Sequence, residues 1–115
     1  MKQSVPGLLV DRGQPTTVEQ FLHTLFWLRR HVTGQYRINE VPFVARFIQP
    51  DDTLLDVGPN AGSWTRSLSK LVEWGYGYAF EALPHYAQVL KLTVRLLALK
   101  NVIVRNQAVT NHNGR

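Results

Sequence analysis

Asp56-Val57-Gly58-Pro59-Asn60-Ala61-Gly62 is the stretch on which the reading of this chain turns. It follows a short apolar run, Thr53 to Val57 (TLLDV), and precedes a helical pattern from about Ser63 to Trp74. An apolar run of that length is expected of a strand buried in a parallel sheet. A glycine-containing turn at a strand-to-helix junction lets a ligand approach the backbone, and the helix start offers unpaired N–H groups to an anion. The spacing is Gly-x-x-x-Gly, not the Gly-x-Gly-x-x-Gly of dinucleotide folds, and the Gly-Lys-Ser/Thr of a P-loop is absent.

Working outward toward the C-terminus, Gly75 and Gly77 frame a second strand, Tyr76 to Phe80 (YGYAF). Pro84 opens a long helix, from about Leu83 to Leu99, and Asn101 separates it from a third strand, Val102 to Arg105 (VIVR). Strand, helix, strand, helix, strand predicts an α/β fold with a parallel sheet and right-handed crossovers. Glu81 stands at the end of the second strand, 19 residues after Gly62. A carboxylate at that point can accept both hydroxyls of a ribose. The pair reads as a glycine turn for one end of a ligand and an acid for its ribose.

Toward the N-terminus, Thr17-Val18-Glu19-Gln20 has the form of a capping box, with Thr17 as N-cap and Gln20 at the third helical position. Val18, Phe21, Leu22, Leu25, Phe26 and Leu28 follow at the spacing of one helical face. Arg29, Arg30 and His31 suit the negative end of the helix dipole, and Gly34 suits a left-handed cap. This helix is expected to lie over the sheet as a lid or packing element. A second, short helix should begin near Glu40 and carry Pro42 in its first turn, until Gln49-Pro50-Asp51-Asp52 breaks it. The organisation is therefore an irregular arm over residues 1–15, a helical cap segment over 16–50, and a partial ligand-binding α/β domain over 51–115.

Composition narrows the classes of function. With 115 residues the chain is a single domain at most, and 44% apolar residues suffice for a core. The absence of cysteine excludes disulfides, thiolate metal sites and a cysteine nucleophile. No apolar run reaches the roughly 20 residues of a membrane span, and the first residues lack a signal-peptide core, so a cytoplasmic protein without membrane contact is expected. Residues 1–81 hold eight Lys/Arg and eight Asp/Glu, so the net charge of +5 lies wholly in Lys91, Arg95, Lys100, Arg105 and Arg115. These charges are spread out, with no recognised nucleic-acid motif and no basic-aromatic stripe, and read as a solvated face. His23, His31, His85 and His112 fall in no motif and read as surface or capping residues. Trp27, Trp64 and Trp74 read as core or interface residues.

The Asp56–Gly62 stretch together with Tyr78-Ala79-Phe80-Glu81 resembles motif I and the following acidic motif of class I S-adenosylmethionine-dependent methyltransferases. The closer resemblance is to the FkbM family, which shows Asp-Val-Gly-Ala-Asn-x-Gly, then an Ala-Phe-Glu-Pro-like segment, then Asn-Val and Asn-x-Ala-Val. Here Asn101-Val102 and Asn106-Gln107-Ala108-Val109 stand in the same order and spacing, and the likeness spans roughly residues 40 to 115. It implies a Rossmann-like fold, the cofactor S-adenosyl-L-methionine, and methyl transfer to an oxygen of a small molecule or sugar. By the same resemblance Gly58 and Gly62 shape the turn under the methionine part of the cofactor. Asp56 orients that turn or reaches the cofactor amino group through water, Asn60 and Ala61 line the pocket, Glu81 binds the ribose, and Ala82 and Gln107 approach the adenine. Glu40 matches an acid often found before the first strand. No catalytic base and no metal ligand is implied.

The chain departs from the family at three points. Pro59 replaces a small residue and removes one backbone N–H from the turn. Leu83 stands where Pro-Asn is common, with Pro84 displaced by two. Family members also continue well past the third strand, whereas here the hairpin signal Asn113-Gly114 is followed only by Arg115. The expectation is the N-terminal half of the methyltransferase sheet, with an exposed apolar edge on the first strand. The rival reading is a non-catalytic remnant that acts by association, through that edge or the basic C-terminal third. It would self-associate or bind a partner chain that completes the sheet.

Overall fold

The computed structural model describes residues 16–34 and 38–112. The expected arm over residues 1–15 and the Asn113-Gly114 turn lie outside the described residues. Helix α1 (Thr17–Thr33) is followed by a short α2 (Val41–Val44) that runs into a 3-10 turn (Ala45–Phe47). Strand β1 (Thr53–Val57), helix α3 (Ser63–Ser69), strand β2 (Tyr76–Phe80), helix α4 (Pro84–Leu96) and strand β3 (Val102–Arg105) complete the order. All three strands are parallel, in the order β1-β2-β3. This is the strand–helix alternation of a Rossmann-like α/β fold, as the sequence predicts, and the three strand boundaries coincide with the expected ones.

The helix ends differ from expectation for local reasons. The N-cap of α1 is Thr16, not Thr17. Its hydroxyl accepts from the Glu19 N–H at 3.2 Å, and the Glu19 carboxylate accepts from the Thr16 N–H at 2.7 Å. A charged carboxylate is the stronger acceptor for a cap N–H than the Gln20 amide one residue on. The second helix begins at Val41, with Glu40 as its N-cap and Pro42 in the first turn. Helix α3 stops at Ser69 rather than near Trp74, because Asn101 reaches across and donates to the carbonyls of Ser69 and Val72, each at 2.9 Å. The chain then turns back beside the entry to β1, where the Trp74 N–H donates to the Pro50 carbonyl at 2.9 Å. Helix α4 begins at Pro84 and ends at Leu96 in a Schellman arrangement. The Leu99 N–H donates to Val94 and the Ala98 N–H to Arg95, with Ala98 left-handed at φ 52°.

Registered neighbours in a parallel sheet share a face, so Leu55, Tyr78 and Ile103 lie on one side and Gly77 and Val102 on the other. Gly77, Ala79 and Val102 are buried, and α3 and α4 contact the strands. Val72, Ala87, Val89 and Leu90 are also buried. The other face is open: Leu55 is 69% and Val57 59% exposed on β1, which lies at one end of the described strand order.

Helix α1 corrects the sequence reading. It packs chiefly against α4 rather than over the sheet. Its buried residues are His23, Trp27 and His31, whereas Val18, Phe21, Leu22 and Leu25 are exposed. Trp64 and Trp74 are exposed as well, so Trp27 alone of the three tryptophans belongs to the core. No described helix is long and apolar enough to cross a membrane.

Ala98 holds a backbone conformation that glycine adopts without the Cβ penalty. Ala98→Gly is expected to stabilise the chain by about 1 kcal/mol, seen as a higher urea midpoint at unchanged slope.

Candidate functional site

The turn after β1 is built around two left-handed glycines, with a third left-handed residue between them. Gly58 has φ 73°, Asn60 φ 52° and Gly62 φ 91°. Asparagine tolerates this region better than other side-chain-bearing residues. The Gly58 N–H donates to the Phe80 carbonyl at 2.9 Å, which prolongs the β1–β2 pairing by one bond. Pro59 is buried, and its carbonyl accepts from the Gly62 N–H at 2.9 Å, closing a four-residue turn. The N–H lost to proline is thus not one the turn uses. Gly62 then serves as N-cap position of α3, and its carbonyl accepts from the Arg66 N–H at 2.8 Å.

The two glycines do different work. A Cβ on Gly58 would meet nothing within 4 Å, so the backbone there lies open. A Cβ on Gly62 would run into Leu90 Cδ1 of α4, so that glycine lets α4 close on the turn.

Glu81 lies beside the turn and is 4% exposed. Its Oε2 accepts from the Asn60 N–H at 2.9 Å and its Oε1 from the Leu83 N–H at 2.8 Å. A buried carboxylate needs such donors to offset its lost hydration. Each oxygen retains a second lone pair. The Glu81 backbone is fixed too, its N–H donating to the Arg105 carbonyl at 2.9 Å and its carbonyl accepting from Asn106 Nδ2 at 2.8 Å. Asn106 Nδ2 also reaches the exposed Ala82, at its carbonyl, at 3.1 Å. Asp56 is half-buried on β1 and accepts from the Thr65 hydroxyl at 2.6 Å, which ties the strand to α3.

The structure therefore brings Asp56, Gly58, Asn60, Ala61, Gly62, Glu81 and Ala82 to one end of the sheet. Gln107 lines a neighbouring open hollow of about 680 Å³ with Val57, Phe80 and Val109. Glu40, at the start of α2, has no described contact with the turn.

Sequence reasoning missed the residues behind the turn. His31 is 1% exposed, not a surface residue, and its Nε2–H donates to the Ala61 carbonyl at 2.7 Å. His23 is buried as well, with Nδ1 at 2.6 Å from His85 Nε2 and Nε2 accepting from Trp27 at 3.0 Å. Burial lowers the pKa of all three imidazoles, that of His23 to about 4 with a further push from His85. Tyr86 packs edge-on against His23 at 5.1 Å, and its phenol is pushed up by burial and then by the Glu81 charge. The i, i+4, i+8 spacing of His23, Trp27 and His31 was the available signal, but it competed with a stronger aliphatic pattern on the same helix.

No family model matches the chain, and no curated protein matches it. Among solved structures the chain is similar to a precorrin-6y C5,15-methyltransferase from Geobacter metallireducens GS-15, at 19% identity and a TM-score of 0.48. The match covers 89% of this chain and 47% of that one, so the chain spans about half the length of the structure it matches.

The contrast between the glycines is measurable. Gly62→Ala should cost about 3 kcal/mol, from overpacking against Leu90 together with the left-handed strain. Gly58→Ala should cost about 1 kcal/mol, from strain alone. Urea unfolding of the two variants gives both values.

Proposed function

We propose that this chain carries the cofactor-binding part of an S-adenosylmethionine-dependent methyltransferase, of FkbM type, acting on an oxygen of a small molecule or sugar. The observation that carries the reading is the 2.9 Å bond from the Asn60 N–H to Glu81 Oε2. It joins the glycine turn after β1 to the acid after β2, the two features the sequence motifs pair. An acid at the end of the second strand suits ribose hydroxyls, and an open turn after the first suits close approach by the rest of the ligand.

The residues present fit such a cofactor. Gly58 leaves its backbone uncovered, and Glu81 is oriented by two N–H groups yet keeps lone pairs for hydroxyl donors. Gly58, Asn60 and Ala61 would hold the methionine end, Glu81 the ribose, and Ala82 and Gln107 the adenine. The bound sulfonium supplies an activated methyl group. The protein's part is to hold it in line with an acceptor oxygen, and positioning of that kind supplies much of the catalysis in such a transfer.

Calorimetric titration of S-adenosylhomocysteine into the folded chain tests this reading. Micromolar binding is expected, weakened at least ten-fold by Gly58→Ala, which fills the open approach. A folded chain that gives no binding heat overturns the proposal.

The exposure of Leu55 and Val57 on the β1 edge favours a second reading, association through that strand. Sedimentation that depends on concentration, and loses that dependence in Leu55→Lys, would support it. A monomer at all concentrations would exclude self-association.

A further inference from the structure

The histidines of α1 lie behind the turn, and their hydrogen bonds fix their protonation. The Trp27 indole N–H can only donate, so His23 Nε2, 3.0 Å away, presents a lone pair and the His23 proton sits on Nδ1. That proton is donated to His85 Nε2 at 2.6 Å, so the His85 proton sits on its own Nδ1. The relay runs from Trp27 through His23 to His85. Its four ring nitrogens hold two protons between them. A third proton would set two N–H groups against each other, either at Trp27–His23 or at His23–His85. The relay therefore exists only while both rings are neutral.

His31 lies two turns further along the same buried stripe and holds the Ala61 carbonyl. Its Nδ1 is buried with no hydrogen-bond partner, so a proton there would be a buried charge without an acceptor. The groups facing these rings come from three elements. His85 and Tyr86 of α4 face His23, with Glu81 acting on Tyr86, and the positive charge of Arg66 on α3 opposes a proton on His31. On α1 itself, Arg30 lies over the Phe26 ring at 5.2 Å.

We propose that α1 is a proton-released clasp on the ligand turn. The His23–His85 relay docks the helix on α4, His31 holds the turn at Ala61, and acid undocks the helix and loosens the turn. The identity of the ligand rests on the methyltransferase reading, but the clasp does not. The direction in pH follows from the lowered imidazoles. A histidine whose docked pKa lies below its free value takes up its proton more readily undocked. Docking is therefore at full strength above pH 6.5 and weakens as pH falls from there toward about 4.

Two readouts on the 115-residue chain separate the clasp from the ligand reading. The first is the indole N–H resonance of Trp27, identified by its loss in Trp27→Phe. It should sit at a bonded position at pH 7.5 and move to a solvent-exposed one by pH 5. In the double variant His23→Gln/His85→Gln, whose amides can still accept and which leaves only His31 of the three to titrate, the move should come at lower pH. The second is S-adenosylhomocysteine affinity, expected to fall about ten-fold between pH 7.5 and 5.5 in the wild type and by a smaller factor in the double variant, where His31 alone still titrates. If the double variant does not fold, His85→Gln alone serves, with the transition expected at lower pH than in the wild type. A Trp27 resonance unmoved down to pH 5 in the wild type overturns the clasp. So does a transition that persists unchanged in the variant that folds. A Trp27 transition in a folded chain that binds no S-adenosylhomocysteine at pH 7.5 upholds the clasp and overturns the methyltransferase reading instead.

Discussion

The buried Glu81 carboxylate is the constraint on which the rest of this structure is arranged. A charge that is 4% exposed must find donors inside the protein. It finds the Asn60 N–H after β1 and the Leu83 N–H before α4. Its own backbone is bonded to Arg105 and Asn106 at the end of β3. One residue thereby gathers the C-terminal ends of all three strands. The left-handed Asn60 is held in place by the same bond, since its N–H must point at Oε2 for the pair to form. Gly62 completes the arrangement from the other side by giving up a Cβ so that Leu90 of α4 can close on the turn.

Helix α1 follows a different logic from an ordinary amphipathic helix. It buries the stripe of His23, Trp27 and His31 and leaves Val18, Leu22 and Leu25 outside. The surface beneath it explains the choice. The turn presents the Ala61 carbonyl and α4 presents a histidine nitrogen, both of which need a partner once covered. An aliphatic face would bury those groups unsatisfied, at about 1–3 kcal/mol each. Imidazole and indole satisfy them while still supplying apolar ring area.

The sheet was legible because its signals are local. Thr53–Val57, Tyr76–Phe80 and Val102–Arg105 are short apolar runs between glycine, proline and asparagine, and all three matched to the residue. The clustering of Asp56, Gly58, Asn60, Gly62 and Glu81 was legible for the same reason, since strand ends place loops at one edge. The ends of α3 and α4 were not, because they are set by partners distant in sequence or by a strained residue: Asn101 for α3, the left-handed Ala98 for α4. The histidines were hidden for a further reason. Hydropathy ranks an imidazole as polar, and only its partners across 62 and 30 residues make it a core side chain.

The site also limits what a substitution at Glu81 can mean. Its oxygens serve two backbone donors and have two lone pairs to spare, so one carboxylate would be both keystone of the fold and acceptor for a ligand. Removing it takes away both roles at once, and a lost ligand would then say little about contact with that ligand. Gly58 separates them. Its backbone closes the β1–β2 pairing through the Phe80 carbonyl, a bond that alanine keeps, while the space its Cβ would occupy is empty of protein. An added methyl there changes the approach to the turn and meets no protein atom, at a backbone strain of about 1 kcal/mol. The second glycine of the turn admits a helix, and the first, left-handed in its own right, leaves the space beside it empty of protein.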